Sequence, residues 1–424
     1  MPVGLGLATA LLVSLLAVSA VASTSEESAA QDIPPPNDRL HVNTLRDVRV
    51  TTAVPSAAEA KAYFGVALYD RNIQPVWIRI ENLGDEVLWF LPVGLDQSYF
   101  TPIETSYRQQ DRIAILDSET NRNYYEKRMR LRVNPGSARS GYIFTRVDQG
   151  TKSFNVDIVG AGDIYQMTFF VPVPGLRVDH YRVDWENLYA EDELVEVDRV
   201  GLAEALAALP CCVHDKSGTN TGDPLNIAII GEVREAYHAF MRAGWDETET
   251  IYTSSLWNTI QSSLFGSEYR YSPVSALYVF GRAQDVALQK ARSSIDERNH
   301  LRLWLTPIRY QGKPVWIGQI SRDIGVRLTW KTITTHKIDP DVDETREYLV
   351  EDLAYSQALA AFSYVEGVGE QTFDNPRGNL TGDPWFTDGL RVVLYLSGEP
   401  VDISEIDVID LGVWPGRQTP QAEQ

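Results

Sequence analysis

The chain has 424 residues, of which 44% are apolar and 23% charged, and its formal net charge is -20. This length is enough for two or three domains, and the composition is that of a globular protein and not of a disordered one. The strong negative charge repels the phosphates of nucleic acids, so nucleic acid is excluded as a partner.

The first residues of the chain resemble an export signal. Residues 3–22 are apolar or small and uncharged, and Ala20-Val21-Ala22 has the small-x-small pattern of a cleavage site. We predict a signal peptide over residues 1–22, or an N-terminal membrane anchor if it is retained, since about 20 residues span a bilayer. Either interpretation predicts an exported protein, periplasmic or otherwise extracytoplasmic. Residues 23–44, with three consecutive prolines, are predicted to be a disordered linker.

Short β-forming stretches come next, at spacings of about ten residues with turn residues between them. This pattern predicts a β-sandwich domain over residues 45–185. Within it, residues 75–93 hold two such stretches around Asn82-Leu83-Gly84-Asp85, which predicts a hairpin. Residues 57–63 are expected to form a short helix beside the sandwich.

Residues 186–224 are predicted to be a linker, and they contain the two cysteines of the chain, Cys211 and Cys212. Neighbouring Cα atoms lie about 3.8 Å apart, which is closer than disulfides normally accept. An exported location favours oxidation. A vicinal disulfide, two thiols and an intermolecular bridge all remain open.

The second half of the chain alternates helices with strands. We predict an α+β domain with a mostly antiparallel sheet over residues 225–412, followed by a flexible tail over residues 413–424. The fold class is therefore mixed, an all-β sandwich and then an α+β domain. The tetrapeptide Thr-Gly-Asp-Pro occurs at residues 221–224 and again at 381–384, and we interpret it as repeated turn chemistry.

Three strands of this domain are predicted to form a meander. They turn at Gln311-Gly312 and again at residues 321–324. A helix is expected from about residue 342 to 361. The three strands cover residues 301–310, 314–320 and 325–333.

An acidic stretch with one histidine, residues 334–349, precedes that helix. It imitates an EF-hand loop but lacks the glycine and glutamate required at the sixth and twelfth positions, so calcium binding is excluded. Asp341 as N-cap with Glu344 three residues later predicts a variant of the capping box. A functional role for His336 and Asp339 is the alternative.

The chain also has a stretch rich in arginine, residues 280–304. If 275–280 pairs with 301–310 and the meander turns at 321–324, residues from three segments meet. Arginines bind phosphate and carboxylate through paired hydrogen bonds, so we predict a site for an anionic small molecule or lipid headgroup. Five residues are predicted to converge there at one sheet edge: Arg282, Arg298, His300, Arg322 and Asp323.

The same residues offer a second interpretation. Asp323 could orient His300 for acid-base catalysis, which predicts a hydrolase of esters or phosphoesters. The sequence has no nucleophile elbow, no P-loop and no zinc-protease motif, so neither a nucleophile nor a cofactor is identified. His336 is expected at the opposite end of the sheet from His300, and no metal site is predicted.

Several segments between about residues 210 and 400 resemble the LssY C-terminal domain family of bacterial proteins. The resemblance implies an envelope location, because the domain can follow a membrane-embedded domain of the lipid-phosphatase type, but it implies no established activity. The chain lacks a multi-span region, so phosphatase activity is not implied. Lys337 stands where the family pattern has a second histidine. The segments are GDPLNIAIIG, SALYVFGRAQDVALQK, ERNHLRLW, PVWIGQISRDIGV and THKIDPDVDETREYLVEDL.

A third interpretation assigns no chemistry to the chain. Its ten tryptophans and the predicted sandwich would supply the surface of a module that binds an envelope protein. Tryptophan is enriched at such interfaces.

Overall fold

The structure is a computed structural model. The segments predicted to direct export lie outside the residues it describes, so those predictions are not tested by it. No helix within the described part is long and apolar enough to cross a membrane. The described residues are 39–109, 118–148, 150–174, 183–185, 187–247, 250–251, 274–291, 298–327 and 335–416.

The first half forms the predicted β-sandwich. One antiparallel sheet has the order β1-β2-β3-β6 and the other the order β5-β4-β7-β8, and their inner side chains enclose one apolar core. The strands are β1 (His41–Leu45), β2 (Val48–Ala53), β3 (Gln74–Asn82), β4 (Leu88–Leu91), β5 (Arg132–Val133), β6 (Ala138–Thr145), β7 (Gly150–Val159) and β8 (Ile164–Val173). The helices are α1 (Ala57–Phe64), α2 (Pro102–Gln109) and α3 (Ser118–Lys127).

The predicted hairpin over residues 75–93 is wrong. β3 pairs with β2 and β6, whereas β4 pairs with β5 and β7, so the chain crosses from one sheet to the other. Asn82 fixes this crossing, because its buried amide donates to the carbonyls of Glu86 at 2.7 Å and Val133 at 3.3 Å. Turn residues mark both hairpins and sheet-to-sheet corners, and their sequence signal does not separate the two.

The second half is the predicted α+β domain. Its helices are α4 (Arg199–Ala208), α5 (Val233–Arg242) and α6 (Val342–Tyr355). Its strands are β9 (Val195–Val197), β10 (Cys212–His214), β11 (Thr221–Pro224), β12 (Ile227–Ile230), β13 (Asp246–Glu247), β14 (Thr250–Ile251), β15 (Val274–Ser275), β16 (Tyr278–Val279), β17 (Arg282–Ala283), β18 (Val286–Ala291), β19 (Arg298–Tyr310), β20 (Lys313–Arg327), β21 (Thr335–Ile338), β22 (Leu359–Glu366), β23 (Arg377–Gly378), β24 (Pro384–Trp385), β25 (Leu390–Leu396) and β26 (Asp407–Val408).

A central sheet with the order β13-β18-β19-β20-β12-β25-β22-β26 organises this domain, with β21 beside β20 and β9 beside β19. Most pairs are antiparallel, while β12 with β25, β22 with β26 and β9 with β19 are parallel. Helices α5 and α6 pack on one face, which we call the α6 face. Helix α4 and a small sheet, β11-β10-β16-β17, pack on the other, which we call the α4 face.

The predicted meander is only partly present. Gln311 and Gly312 do form the turn between β19 and β20, with φ of 52° and 74°, as a two-residue hairpin turn requires. The predicted turn at residues 321–324 is wrong, because β20 continues to Arg327 and β21 returns along it. His336 therefore pairs with Val326, near the same end of the sheet as His300, and its predicted place at the opposite end is also wrong.

The helix predicted to reach residue 361 ends at Tyr355. Gln357 then takes a left-handed conformation with φ of 61°, and the alanine-rich residues that follow enter β22. Alanine is the best helix former, but here the pairing of β22 with β25 overrides that preference.

Residues between the sandwich and the central sheet are tied to the second domain. β9 pairs with β19, and Cys211 and Cys212 form a disulfide with their Cα atoms 3.7 Å apart. Arg391, with no exposed surface, holds the end of α4 by donating hydrogen bonds to backbone carbonyls. These carbonyls belong to Leu206, Leu209, Pro210, Leu225 and Gly367.

Candidate functional site

A set of polar side chains lies on the α4 face of the central sheet, where β18, β19 and β20 run side by side. Alternate residues of a strand point to the same face, and residues paired across strands share a face. Gln289 pairs with His300, which pairs with Ser321; Arg302 pairs with Gln319 in the next layer. We call this set the polar ladder: Gln289, Arg298, His300, Arg302, Gln319, Ser321 and Asp323.

A histidine–aspartate hydrogen bond forms the centre of the polar ladder. His300 Nε2 lies 2.6 Å from Asp323 Oδ2. An ionised carboxylate can only accept, so the imidazole donates through Nε2. The Asp323 side chain is 3% exposed and the His300 side chain 12%. The imidazole is thus the more accessible member of the pair.

Two arginines, one buried and one partly buried, flank His300 along β19. Arg298 Nη1 donates to Gln289 Oε1 at 2.9 Å, and Arg302 Nη1 donates to Gln319 Oε1 at 3.0 Å. Arg298 is only 1% exposed. In these bonds each guanidinium meets the oxygen of a neutral amide, and the charge of Arg302 also acts on the buried carboxyl of Asp223.

Two aspartates from the repeated Thr-Gly-Asp-Pro tetrapeptide meet beside the polar ladder. The first copy forms strand β11, so its prediction as a turn is wrong. Asn379 joins the two aspartates, since its Nδ2 donates to Asp223 Oδ1 at 3.1 Å and its Oδ1 accepts from the Asp383 backbone amide at 2.9 Å. Burial raises the pKa of Asp223, while the bond from Asn379 and the charge of Arg302 lower it. Strongly perturbed carboxyl groups of this kind concentrate at functional sites.

Sequence reasoning missed these two aspartates, because the repeated tetrapeptide was interpreted as turn chemistry alone. The repetition of the tetrapeptide was the sequence feature that could have indicated them. Each copy ends in a proline that precedes a buried residue, which places both aspartates at the margin of the core: Asp223 and Asp383.

Arg322 does not join the polar ladder. It pairs with Asn299 across β19 and β20, so it lies on the α6 face. Its Nε donates to Asn299 Oδ1 at 3.4 Å, and its guanidinium lies 5.5 Å from the centre of the Tyr348 ring on α6. Arg322 and Asp323 point to opposite faces because β20 continues through these residues as a strand. A turn at this position could have brought both side chains to one end of the sheet.

Arg282 lies elsewhere on the second domain. It forms a bidentate ion pair with Asp285 at 2.9 and 2.8 Å and donates to the Leu305 carbonyl at 2.7 Å. Leu305 is further along β19 than His300, by roughly 15 Å at the usual strand rise. The predicted pairing of residues 275–280 with 301–310 is wrong, because β18 takes that position beside β19. Of the five predicted residues, three share one face.

Asp341 is the N-cap of α6, as predicted, but within the described residues around this cap the reciprocal bond of a capping box, from the Asp341 amide to the Glu344 side chain, is not formed. Asp341 Oδ1 accepts from the backbone amides of Asp343 at 3.2 Å and Glu344 at 3.4 Å. Asp339 in turn accepts from the Asp341 amide at 3.1 Å. Within the described ranges, no group of three or more histidine, cysteine, aspartate or glutamate side chains is arranged to hold a metal ion.

An acidic cleft of about 510 Å³ opens beside this cap. Much of its charge is compensated from below by Arg346, which is 1% exposed. This arginine pairs with Asp343 at 3.1 Å, Glu347 at 2.8 Å and Asp388 at 2.8 Å. This network of ion pairs explains the acidic residues at the start of α6 as structural. The polar ladder is therefore the better candidate for a catalytic or binding site.

The second domain is similar to a known family. Residues 206–390 match the model of the family described as LssY C-terminus, which confirms the resemblance found in the sequence. The matched region contains the polar ladder and both Thr-Gly-Asp-Pro tetrapeptides. No curated protein matches the chain.

Proposed function

We propose that this protein, whose second domain is an LssY C-terminal domain, is an exported envelope hydrolase acting on esters or phosphoesters. His300 would be its acid-base group and Asp323 the residue that orients it. The observation that carries the proposal is the 2.6 Å hydrogen bond between His300 Nε2 and Asp323 Oδ2.

The buried position of Asp323 supports this role. A carboxylate that accepts from one imidazole nitrogen fixes the tautomer, so the other nitrogen is left to accept a proton. The carboxylate also stabilises the imidazolium that forms, and more strongly in a low-dielectric interior than in water. Because His300 is the more exposed of the two, substrate would approach from its side.

The flanking arginines indicate the kind of substrate. Arg298 and Arg302 keep their charge in every protonation state that proteins reach, and both lie two residues from His300 on β19, where they donate to side-chain amides. An anionic group on the substrate would be attracted to this position. Binding of an anionic or phosphorylated ligand without turnover is the second candidate function, and this pair of arginines is the observation that favours it.

The extracytoplasmic location rests on two features. The sequence of residues 1–22 has the character of a signal peptide or anchor, and Cys211 is bonded to Cys212. Structural disulfides persist in oxidising compartments such as the periplasm. Either a free envelope metabolite or a lipid headgroup would meet the protein there.

The test is hydrolysis of p-nitrophenyl acetate, p-nitrophenyl phosphate and bis-p-nitrophenyl phosphate by the full chain. His300→Ala is expected to reduce kcat/KM by about 100-fold or more, the usual contribution of an acid-base group. His41→Ala, on β1 of the sandwich, is the matched control and should leave turnover unchanged. Equal rates for wild type and His300→Ala, or no turnover of any substrate, would refute the proposal.

The binding candidate has its own measurement. Inorganic phosphate and vesicles containing phosphatidylglycerol would be titrated against wild type and Arg298→Gln, following the melting temperature. Stabilisation of wild type by either probe, reduced in the variant, supports binding, and the probe that acts tells a free anion from a headgroup. Identical melting curves with and without both probes exclude it.

A further inference from the structure

Ser321 occupies a position in the polar ladder that neither the sequence nor the acid-base pair explains. It is directly opposite His300 across β19 and β20, and it is two residues from Asp323 on the same face. It is 4% exposed, and its side chain is on the same face of the sheet as those of His300 and Asp323.

The pairing of the strands brings the side chains of His300 and Ser321 together. Residues directly opposite in an antiparallel pair have Cβ atoms about 5 Å apart. In histidine, Nδ1 is the ring nitrogen closer to Cβ, while Nε2 is at the far end of the ring and here bonds to Asp323. Nδ1 is buried, and because Nε2 is bonded to Asp323, Nδ1 is the ring nitrogen that remains to act as a base.

A second unexplained group lies next to Ser321. Gln319, two residues along β20 on the same face, has no exposed surface. Arg302 engages its Oε1 at 3.0 Å, which turns the amide so that Nε2 points away from the arginine. Nε2 is buried and has no hydrogen-bond partner among the residues the structure describes. It is a buried donor without an acceptor, on the same face of β20 as the Ser321 side chain.

From this geometry we propose that Ser321 is the nucleophile of an acyl-ester hydrolase, with His300 as base, Asp323 as its orienting residue and Gln319 Nε2 as a donor to the developing oxyanion. The inference rests on the hydrolase function proposed above and names its substrate class as a carboxylic ester. Arg298 and Arg302 would favour an ester that carries an anionic group.

The reaction balances with water as the only co-reactant. Ser321 Oγ attacks the acyl carbon while His300 takes the hydroxyl proton. His300 then gives this proton to the departing oxygen, which leaves as the alcohol. Water attacks the acyl-serine, His300 accepts the water proton, and the proton returns to Ser321 Oγ as the carboxylic acid departs.

The experiment uses a fluorophosphonate probe, which phosphonylates activated serines, together with p-nitrophenyl acetate turnover. The full chain, Ser321→Ala and Ser363→Ala would be labelled and the modified residue located by peptide mass spectrometry. Ser363 is the matched control, because it is a fully buried serine of the same central sheet. We expect one label on Ser321 in wild type and Ser363→Ala, none in Ser321→Ala, and a loss of turnover of about 100-fold or more in Ser321→Ala.

Two further variants keep the proposal testable. If Ser321→Ala does not fold, the near-isosteric Ser321→Cys replaces it and should lose fluorophosphonate labelling. Gln319→Leu should lower kcat by about 100-fold while KM changes little, since an oxyanion donor acts in the transition state.

The outcomes separate this inference from the function on which it rests. Turnover that requires His300 but persists in Ser321→Ala, or a label on another serine, overturns Ser321 as nucleophile and leaves the hydrolase intact with water attacking directly. Absence of turnover in wild type defeats both.

Discussion

Glu247 provides the sharpest prediction about pH and stability. It lies on β13, at the margin of the central sheet, and Thr151 Oγ1 on β7 of the sandwich donates to its Oε1 at 3.3 Å. The residue is 2% exposed. Burial raises the pKa of Glu247 to about 8, and the hydrogen bonds from Thr151 lower it only in part. This carboxyl thus joins the two domains in its protonated form.

The sign of the pH effect follows from that shift. A carboxyl whose pKa is raised by folding binds its proton more tightly in the folded state, so the folded protein is favoured at low pH. Stability is expected to fall as pH rises from about 4.5 to about 8, by about 1.4 kcal/mol for each pH unit. Between pH 5 and pH 7 this amounts to a loss of about 3 kcal/mol of unfolding free energy.

The perturbation is Glu247→Gln, which keeps the shape and cannot ionise. Urea denaturation followed by tryptophan fluorescence at pH 5, 6, 7 and 8 would give the unfolding free energy of each protein. The variant should match wild type near pH 5 and exceed it by about 3 kcal/mol at pH 7. Glu204→Gln, an exposed glutamate on α4, is the control and should follow wild type throughout. A constant difference between Glu247→Gln and wild type from pH 5 to 8 would refute the reasoning.

Two further predictions concern the connection between the domains. Arg391→Met removes the donor to backbone carbonyls at the end of α4 and on two other segments, at Leu225 and Gly367, and each unsatisfied group costs about 1–3 kcal/mol. We expect a loss of about 4 kcal/mol or more in urea denaturation, and a loss below about 1 kcal/mol would contradict the role assigned to this arginine. Because Cys211 and Cys212 are bonded to each other, iodoacetamide in denaturant should add no mass before reduction and two adducts after it. A dimer on a non-reducing gel would instead show an intermolecular bridge.

The elements that were predicted correctly are those determined by residues close to one another in the sequence. Ser56 is the N-cap of the short helix α1, and it forms a capping box with Glu59, three residues further along the chain. The cap at Asp341 and the turn at Gln311-Gly312 are of the same kind. Each is specified by side chains within one turn of the backbone, so no knowledge of distant strands is needed.

The wrong predictions concern segments whose conformation depends on residues that are distant in the sequence. Residues 321–324 contain an arginine and an aspartate, which in an isolated segment indicate a turn. In the structure these charges are accommodated across the sheet, Asp323 by His300 and Arg322 by Asn299. The strand therefore continues, and a one-residue alternation sends the two charges to opposite faces. Part of the candidate site was predicted from the sequence. A turn at residues 321–324 and a continuous strand both place Asp323 near His300, so the wrong prediction of a turn still gave the right contact.

The polar ladder lowers the stability of the folded protein, because charged groups are removed from water. This loss of stability is the strongest general argument that the polar ladder has a function. Moving a guanidinium or carboxylate out of water carries a penalty of several kcal/mol, and an internal partner recovers it only when the geometry is good. Apolar residues of similar size would fill the same face of the central sheet at no such penalty. The α4 face is in fact apolar one layer further along, where Trp304 pairs with Ile317. The change from apolar to polar within two residues of β19 and β20 is not required by the sheet. Such a change is expected at a catalytic or binding site that lies on a rigid strand, where functional residues reduce the stability of the fold.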